Sequence, residues 1–156
     1  MVEFVQTDLA DLDSEGESKL RDIVNALSAD AKLPYQAKLD KQAEESGQIA
    51  AGRAAFIEAF DSSACSDCHR WGDEIDDGGD GPDLTNYGSR EWMIKMISNP
   101  EHIYGEHNDR MPAYDPPDNP AASQLSREKI GLIVDWIRQD WPSQGGEGTS
   151  GGQIQP

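Results

Sequence analysis

The chain has 156 residues, which is enough for one domain with some additional length. Thirty acidic residues against 13 basic ones give a formal net charge of −17, and 36% of the residues are hydrophobic. Such a surface repels the phosphates of nucleic acids and the headgroups of anionic membranes, so both are poor partners. No apolar run reaches the roughly 18 residues that a membrane-spanning helix needs.

Residues 1–45 are expected to form an N-terminal helical extension. Apolar residues recur at helical spacing in the part that follows the acidic first 17 residues: Leu20, Ile23, Val24, Leu27 and Ala31. This pattern predicts a helix over 18–33, which Pro34 ends. The start of the chain has neither the basic nor the apolar region of a secretory signal, so the sequence is expected to be a mature form or an excised soluble piece.

Residues 46–142 are expected to form the principal domain, and residues 143–156 a flexible tail of linker composition. Helices are predicted over about 41–60, over 90–98 behind the N-cap Ser89, and over 127–141 behind the N-cap Ser126. The apolar residues Ile130, Ile133, Val134, Ile137 and Trp141 fall on one face of the last helix. Residues 72–88 and 102–122 are too rich in Gly, Asp and Pro for long regular structure. No strand pattern is evident, so the predicted fold class is all-α.

Both cysteines of the chain lie in the segment SSACSDCHR, where His69 follows Cys65 and Cys68. A zinc site needs four ligands, and only the isolated His102 and His107 could complete one. A thioredoxin-like redox pair normally follows a strand, and a structural disulfide is the third alternative. The fourth is covalent attachment of a c-type haem, for which Cys-x-x-Cys-His is the recognised signature, and we favour it.

The haem interpretation makes two further demands on the sequence. The proximal imidazole of His69 needs an acceptor for its Nδ1–H, and the carbonyl group of Pro82 is a candidate. A low-spin electron carrier also needs a sixth iron ligand, and a thioether raises the potential. Met111 is favoured because it stands beside the stiffening Pro112 in an irregular loop, whereas Met93 and Met96 lie within a predicted helix. His102 and His107 are the competing ligands.

Five segments occur in an order that resembles the single-haem class I cytochrome c domains: GRAAF, CSDCH, GPDLTNYGS, RMPAY and LSREKIGLIVDWIR. The resemblance runs from about Gly52 to Trp141. It implies that Cys65 and Cys68 carry the thioether bonds of one haem c, and that His69 and Met111 are its axial ligands. It also implies that the first and last helices of the domain cross around the haem. Gly52 and Phe56 would then pack against the face that carries Ile133 and Trp136.

More narrowly, the stretch from Gly81 to Tyr114 is similar to c domains fused to, or associated with, quinol-oxidising cytochrome b complexes. This similarity implies a donor of that kind, and a basic oxidase or cytochrome is the expected acceptor. It also implies a periplasmic or equivalent location, with a membrane anchor outside this chain. The c domain of a terminal oxidase subunit is the neighbouring alternative.

Several other residues are candidates for contact with the haem or its propionates. The aromatic ones are Trp71, Tyr87, Trp92 and Tyr104, and ordinary core packing is the alternative for each. Arg90 could meet a propionate or lie solvated at a helix start. The acidic segment from Asp73 to Asp83 lacks the ligand pattern of a calcium loop and is expected to be solvated.

The leading functional hypothesis is therefore a carrier that passes single electrons through one haem and needs no acid, base or nucleophile. An enzymatic alternative remains, because iron without a sixth ligand could react with peroxide or bind a diatomic gas. A dithiol–disulfide oxidoreductase is the third class, and it would be colourless.

Overall fold

The computed structural model describes residues 2–73, 79, 81–104 and 111–140. The tail over 143–156, Trp141, His107 and most of the acidic segment after Asp73 lie outside the described residues. The side chains of His102 and Tyr104 also lie outside them. All regular secondary structure in the described residues is helical, which confirms the all-α prediction. None of the described helices has the length and apolar character required to cross a bilayer.

The helices follow one another along the chain with short 3₁₀ turns between some of them. The α-helices are α1 Val2–Thr7, α2 Ser14–Ala31, α3 Ala37–Glu45, α4 Gln48–Ala55, α5 Arg90–Ser98, α6 Glu101–Tyr104 and α7 Arg127–Ile137. The 3₁₀ turns within the described residues are Cys65–Asp67 and Pro120–Ala122.

Helix α2 begins earlier and ends earlier than the apolar pattern predicts. Asp13 caps its start, because the side-chain Oδ1 accepts a hydrogen bond from the amide of Gly16 at 2.8 Å. At the other end Lys32 takes a left-handed conformation with φ of 52°, and its amide donates to the carbonyl of Ala29. The helix therefore ends at Ala31 with Lys32 as its C-cap, and Pro34 follows two residues later, where a proline prevents the helix from continuing.

The single helix predicted over 41–60 is wrong, because the chain forms α3 and α4 there instead. Gly47 separates them with φ of 81°, a left-handed conformation that glycine adopts without steric cost. Helix α4 then ends at Ala55, so residues 56–60 lead out of the helix toward the cysteine motif.

Helices α2 and α4 pack closely and carry one of the two apolar cores formed by the described residues. Gly52 makes this contact possible, because a Cβ atom at this position would overlap the carbonyl oxygen of Asp22. The buried residues of this core are Ile23, Ala26, Ala55, Phe56 and Trp71. The extension over 1–45 thus shares a core with the residues that follow it, and the boundary at 45 stays a prediction.

The implied contact of Gly52 and Phe56 with Ile133 and Trp136 is not formed. Gly52 lies against the backbone of α2, and Phe56 packs against Trp71, with ring centroids 4.9 Å apart. Ile133 and Trp136 remain 37% and 65% exposed. The physical reason is that α2 already covers the surface of α4.

Helices α5 and α7 carry the second core, in which Ile94, Ile130 and Val134 are buried. Both predicted serine caps are present. The hydroxyl oxygen of Ser89 accepts from the amide of Trp92 at 3.2 Å, and that of Ser126 accepts from the amide of Lys129 at 3.4 Å. Other residues cover the predicted apolar face of α7 only in part. Ile137 is 47% exposed, and Ile133 is also partly exposed.

Candidate functional site

The cysteine motif lies in a tight turn that leads directly out of α4. The carbonyl of Phe56 accepts a hydrogen bond from the amide of Ser66 at 3.2 Å, which ties the turn to the end of the helix. The carbonyl of Cys65 accepts from the amides of Cys68 at 3.3 Å and His69 at 2.9 Å. These bonds bring both thiols and the imidazole to one short turn, and no disulfide joins the thiols.

The imidazole of His69 is buried, with 8% of its surface exposed. Its Nδ1 lies 2.9 Å from the carbonyl oxygen of Pro82, so the contact expected from the sequence is present. A carbonyl oxygen can only accept, so Nδ1 carries the proton in this bond. The lone pair of the neutral ring then resides on Nε2, which is the nitrogen that a metal ion would use.

Residues 81–85 hold this arrangement by running alongside the motif. The amide of Gly81 donates to the carbonyl of Cys68 at 2.8 Å, and that of Leu84 donates to the carbonyl of Arg70 at 2.9 Å. The amide of Gly72 donates to the hydroxyl of Thr85, also at 2.8 Å. We refer to residues 81–85 as the strap.

Gly81 is a site residue that the sequence analysis missed. A Cβ atom there would overlap the carbonyl oxygen of Cys68 and lie 2.9 Å from Nδ1 of His69. Only glycine therefore lets the strap approach closely enough for the bond from His69 to Pro82. The available signal was a glycine directly before the proline proposed as acceptor.

An apolar cavity of about 280 Å³ lies beside the motif. Cys65, Cys68 and His69 form one part of its wall, and Leu84 of the strap contributes to it. The remaining lining residues are mostly from α1, α2 and the segments around the motif: Phe4, Val5, Leu9, Leu20, Ile23, Val24, Leu27, Phe56, Ser63 and Ala64. The part played by Phe4, Val5 and Leu9 was not predicted, because the acidic first residues show little periodicity.

The residues around the cavity fit a covalently held porphyrin. The lining is almost wholly apolar, which suits a porphyrin face, and Cys65, Cys68 and His69 belong to the same wall. Burial raises the pKa of the Cys65 thiol above its ordinary value, so this thiol is neutral at physiological pH. A neutral thiol is compatible with an apolar wall, whereas a thiolate would oppose it.

Two alternatives for the motif find no support in the described part of the chain. No three His, Cys, Asp or Glu side chains converge there as a metal ion would require. No strand precedes the cysteines in the described residues, as a thioredoxin-like pair normally has.

Met111 is half-buried and is not among the residues that line the cavity. Its role as an axial ligand therefore stays a prediction. The competing ligands His102 and His107 cannot be placed, because the side chain of the first and the whole of the second lie outside the described residues.

Among the other candidates for haem contact whose side chains the structure describes, none lines the cavity. Trp71 is buried in the α2–α4 core, where its indole N–H donates to Oδ2 of Asp30 at 2.6 Å. Tyr87 and Trp92 contact each other, with ring centroids 4.6 Å apart. Arg90 is paired with Asp135 through two hydrogen bonds of 2.6 and 2.9 Å.

Asp30 is a second residue that the sequence analysis missed. Its carboxylate accepts from Trp71 and from Nη2 of Arg53, each at 2.6 Å. The guanidinium of Arg53 also lies over the Trp71 ring, 4.7 Å from its centroid. Asp30 thus connects α2 to α4 and to the residues just after the motif. No sequence pattern distinguishes it from the other acidic residues.

The family model described as Cytochrome c matches residues 49–141. Neither a curated protein nor a solved structure shows significant similarity to the chain. The matched range covers more than half of the chain and includes the cysteine motif, the strap and helices α5 and α7. Family membership implies a covalently attached c-type haem, with Cys65 and Cys68 at the attachment spacing. The all-helical architecture is consistent with the class I fold, and the chain belongs to the cytochrome c family.

Proposed function

We propose that this haem-based electron carrier uses His69 and Met111 as axial ligands and works as the soluble c domain of a membrane quinol-oxidising complex. The observation that carries the proposal is the hydrogen bond from Nδ1 of His69, which lines the cavity, to the carbonyl of Pro82. This bond selects the tautomer with a free Nε2 and fixes the plane of the ring.

The protein residues supply attachment, orientation and an apolar surround. Cys65 and Cys68 would hold the haem through its vinyl groups, and His69 would face the iron from the same turn. The haem, when bound, supplies a centre that changes between the ferrous and ferric states. The apolar lining disfavours the additional positive charge of the ferric state and therefore raises the potential.

The case for Met111 rests on its position in an irregular loop next to Pro112. Met111 is not in the lining of the cavity beside the motif, so its place in the sequence is what supports this assignment. Met111→Ala is expected to convert a low-spin haem into a high-spin form that binds carbon monoxide. The absorption spectra of the ferric and ferrous proteins measure this change.

Met96→Ala is the matched control, because Met96 lies within α5 and is also half-buried. It should leave the low-spin spectrum intact. If Met111→Ala keeps the same low-spin spectrum as well, a different residue is the sixth ligand. Replacing His102 and His107 in turn would then identify the ligand.

The association with a quinol-oxidising complex is supported by the likeness of residues 81–114 to c domains of that kind. Under this proposal the protein acts on the periplasmic or equivalent side of a membrane. A purified quinol-oxidising cytochrome b complex, given quinol, should reduce the haem-loaded protein faster than a terminal oxidase oxidises it. The opposite ranking would favour the terminal oxidase alternative.

One observation favours a gas-binding or peroxidase function as the second candidate, namely that Met111 is not among the lining residues of the cavity. Carbon monoxide binding by the reduced wild-type protein would support this candidate. Absence of such binding would support the electron carrier.

A further inference from the structure

A second cavity, of about 430 Å³, lies where the end of α2 meets the start of α5. It is not the haem cavity, since no residue lines both, although Leu84 lines one and its neighbour Thr85 the other. Four basic residues line it: Lys32, Arg90, Lys95 and Arg138. We refer to it as the basic cavity.

The charge of the basic cavity is opposite to that of the molecule. The chain has 13 basic and 30 acidic residues, yet four basic side chains line this cavity with Glu91 as the one acidic residue. The cavity is therefore a positively charged region on a chain whose net charge is −17. An anion that approaches the protein would be attracted here and repelled over most of the remaining surface.

The buried guanidinium of Arg138 is the main reason to expect an anion in the basic cavity. It is only 4% exposed, and its Nη atoms donate to the carbonyls of Ala31, Lys32 and Gly88 at 2.9, 2.7 and 2.6 Å. Its Nε is buried and has no hydrogen-bond partner. The hydrogen bonds of this buried cation reach only neutral carbonyls, and burial of a cation normally demands counter-charge. The carboxylate of Asp135 supplies some by electrostatic attraction but is also bound to Arg90, and the negative end of the α2 dipole adds to it.

The start of α5 adds donors on another side of the basic cavity. Ser89 caps the helix by accepting from Trp92, which leaves the amides of Arg90 and Glu91 without partners inside the helix. Amides at such a helix start point toward an anion and carry a partial positive charge. Trp92 also lines the cavity and supplies an apolar wall.

Two groups limit the attraction. Arg90 is already bound by Asp135 through both carboxylate oxygens, and Glu91 lies in the first turn of α5. The uncommitted charges that remain are those of Lys32 and Lys95, both exposed, since no ion pair engages either within the described part of the chain. Recognition of a ligand should therefore depend on these two lysines.

We propose that the basic cavity binds a phosphate group, either as inorganic phosphate or as part of a small phosphomonoester. A tetrahedral oxyanion suits a cavity whose lining brings together two lysines, two arginines and the start of a helix. This binding is separate from electron transfer and from haem attachment, because none of the residues involved lines the haem cavity.

The test is calorimetric titration of the haem-loaded protein with inorganic phosphate, with chloride at equal ionic strength as the reference. Saturable binding at one site is expected for the wild type. Lys32→Gln and Lys95→Gln should each weaken it about tenfold or more, because each removes a charge-assisted hydrogen bond. A phosphomonoester such as AMP, titrated in the same way, tells whether the cavity accepts the larger ligand.

Lys129→Gln is the matched control, because it removes an exposed lysine from α7 that does not line the cavity. It should leave the affinity within about twofold of the wild type, since only long-range attraction changes. An equal loss in this control would show that phosphate responds to overall charge, and the proposal would fail. It would also fail if the wild type gave no saturable signal at millimolar phosphate. Neither failure touches the assignment of the electron carrier.

Discussion

His69 is held by a close contact with Gly81, which one added methyl group on that glycine would disturb. Gly81 lies against the carbonyl of Cys68 and the imidazole of His69. The amide of Gly81 itself donates a hydrogen bond to that carbonyl. The site therefore depends on the absence of a side chain at one position as much as on the presence of the histidine.

Gly81→Ala is expected to lower the free energy of unfolding by about 1–3 kcal/mol, the usual cost of added volume in a packed site. It should also reduce the fraction of protein with attached haem, because the strap must move away from His69. Denaturant unfolding and the haem-to-protein absorbance ratio measure the two effects.

Gly16→Ala is the matched control for this substitution. Gly16 lies within α2, and the atoms nearest to an added methyl group belong to side chains, those of Leu12 at 3.0 and 3.3 Å and of Asp13 at 3.4 Å. Alanine is also the better helix former, so this variant should be no less stable than the wild type. If both variants behave alike, close approach at Gly81 does not position the site.

Asp8 makes a pH-dependent contact between α1 and the loop that precedes the motif. Its Oδ1 accepts from the amide and the hydroxyl of Ser62, each at 2.9 Å. Hydrogen bonds from the Ser62 backbone, then from the Thr7 and Ser62 side chains, lower the pKa of this carboxyl from 3.8 to about 2.

Because the folded pKa is depressed, the contact stabilises the protein above pH 3.8 and is lost as the pH falls through about 2. Asp8→Asn should be less stable than the wild type near neutral pH, and the difference should shrink over that acid range. Unfolding monitored by circular dichroism at several pH values measures it. A difference that stays constant with pH would contradict this account of Asp8.

Helix α2 is joined to the haem site in two ways, by packing against α4 and by the carboxylate of Asp30. Gly52 allows its backbone to lie against α4, and Asp30 accepts from both Arg53 and Trp71. An N-terminal extension thus forms part of the core and of the cavity wall, although the family match begins at residue 49.

Asp30→Ala should lower the free energy of unfolding by about 1–3 kcal/mol, since it leaves the buried indole N–H of Trp71 without its acceptor. The pair with Arg53 is partly exposed and adds little to this cost. Chemical denaturation followed by circular dichroism measures it. Glu17→Ala, at an exposed position of the same helix, should cost much less, and an equal loss in both would contradict the role of Asp30.

The sequence predicted those elements whose determinants are local. Helix α5 was predicted from the N-cap Ser89 and an apolar pattern, and the predicted bounds agree with those in the structure. The break at Gly47 was missed because the apolar pattern continues across it, and one glycine within a helix is tolerated often enough to be ambiguous.

Partners that lie far apart in the chain were harder to predict. The contact of His69 with Pro82 could be anticipated, because the chemistry of an imidazole ligand requires an acceptor. The pairing of Arg90 with Asp135 could not, since many carboxylates were equally available to it. The covering of α4 by α2 likewise depends on tertiary packing that the family resemblance did not imply.

At the scale of the whole molecule, the net charge of −17 should govern encounters with other proteins. Charges of one sign attract an oppositely charged partner over a distance that salt shortens to about 10 Å at 0.1 M ionic strength. Electron transfer to a basic partner protein is therefore expected to slow as salt is added.

Stopped-flow measurement of the second-order rate against ionic strength tests this expectation. Transfer to a small neutral oxidant is the control, and its rate should be nearly independent of salt. A flat dependence with the basic partner would mean that the acidic surface serves solubility and not docking.

The central claim is that Cys65 and Cys68 hold one haem covalently beside His69. The most direct measurement is the mass of the matured, denatured chain together with the pyridine haemochrome spectrum of the same sample. The account predicts a mass increased by one haem and a spectrum in which both vinyl groups are saturated, with the pigment retained through acid-acetone extraction. A colourless chain of unmodified mass, or a pigment that the extraction removes, would contradict it.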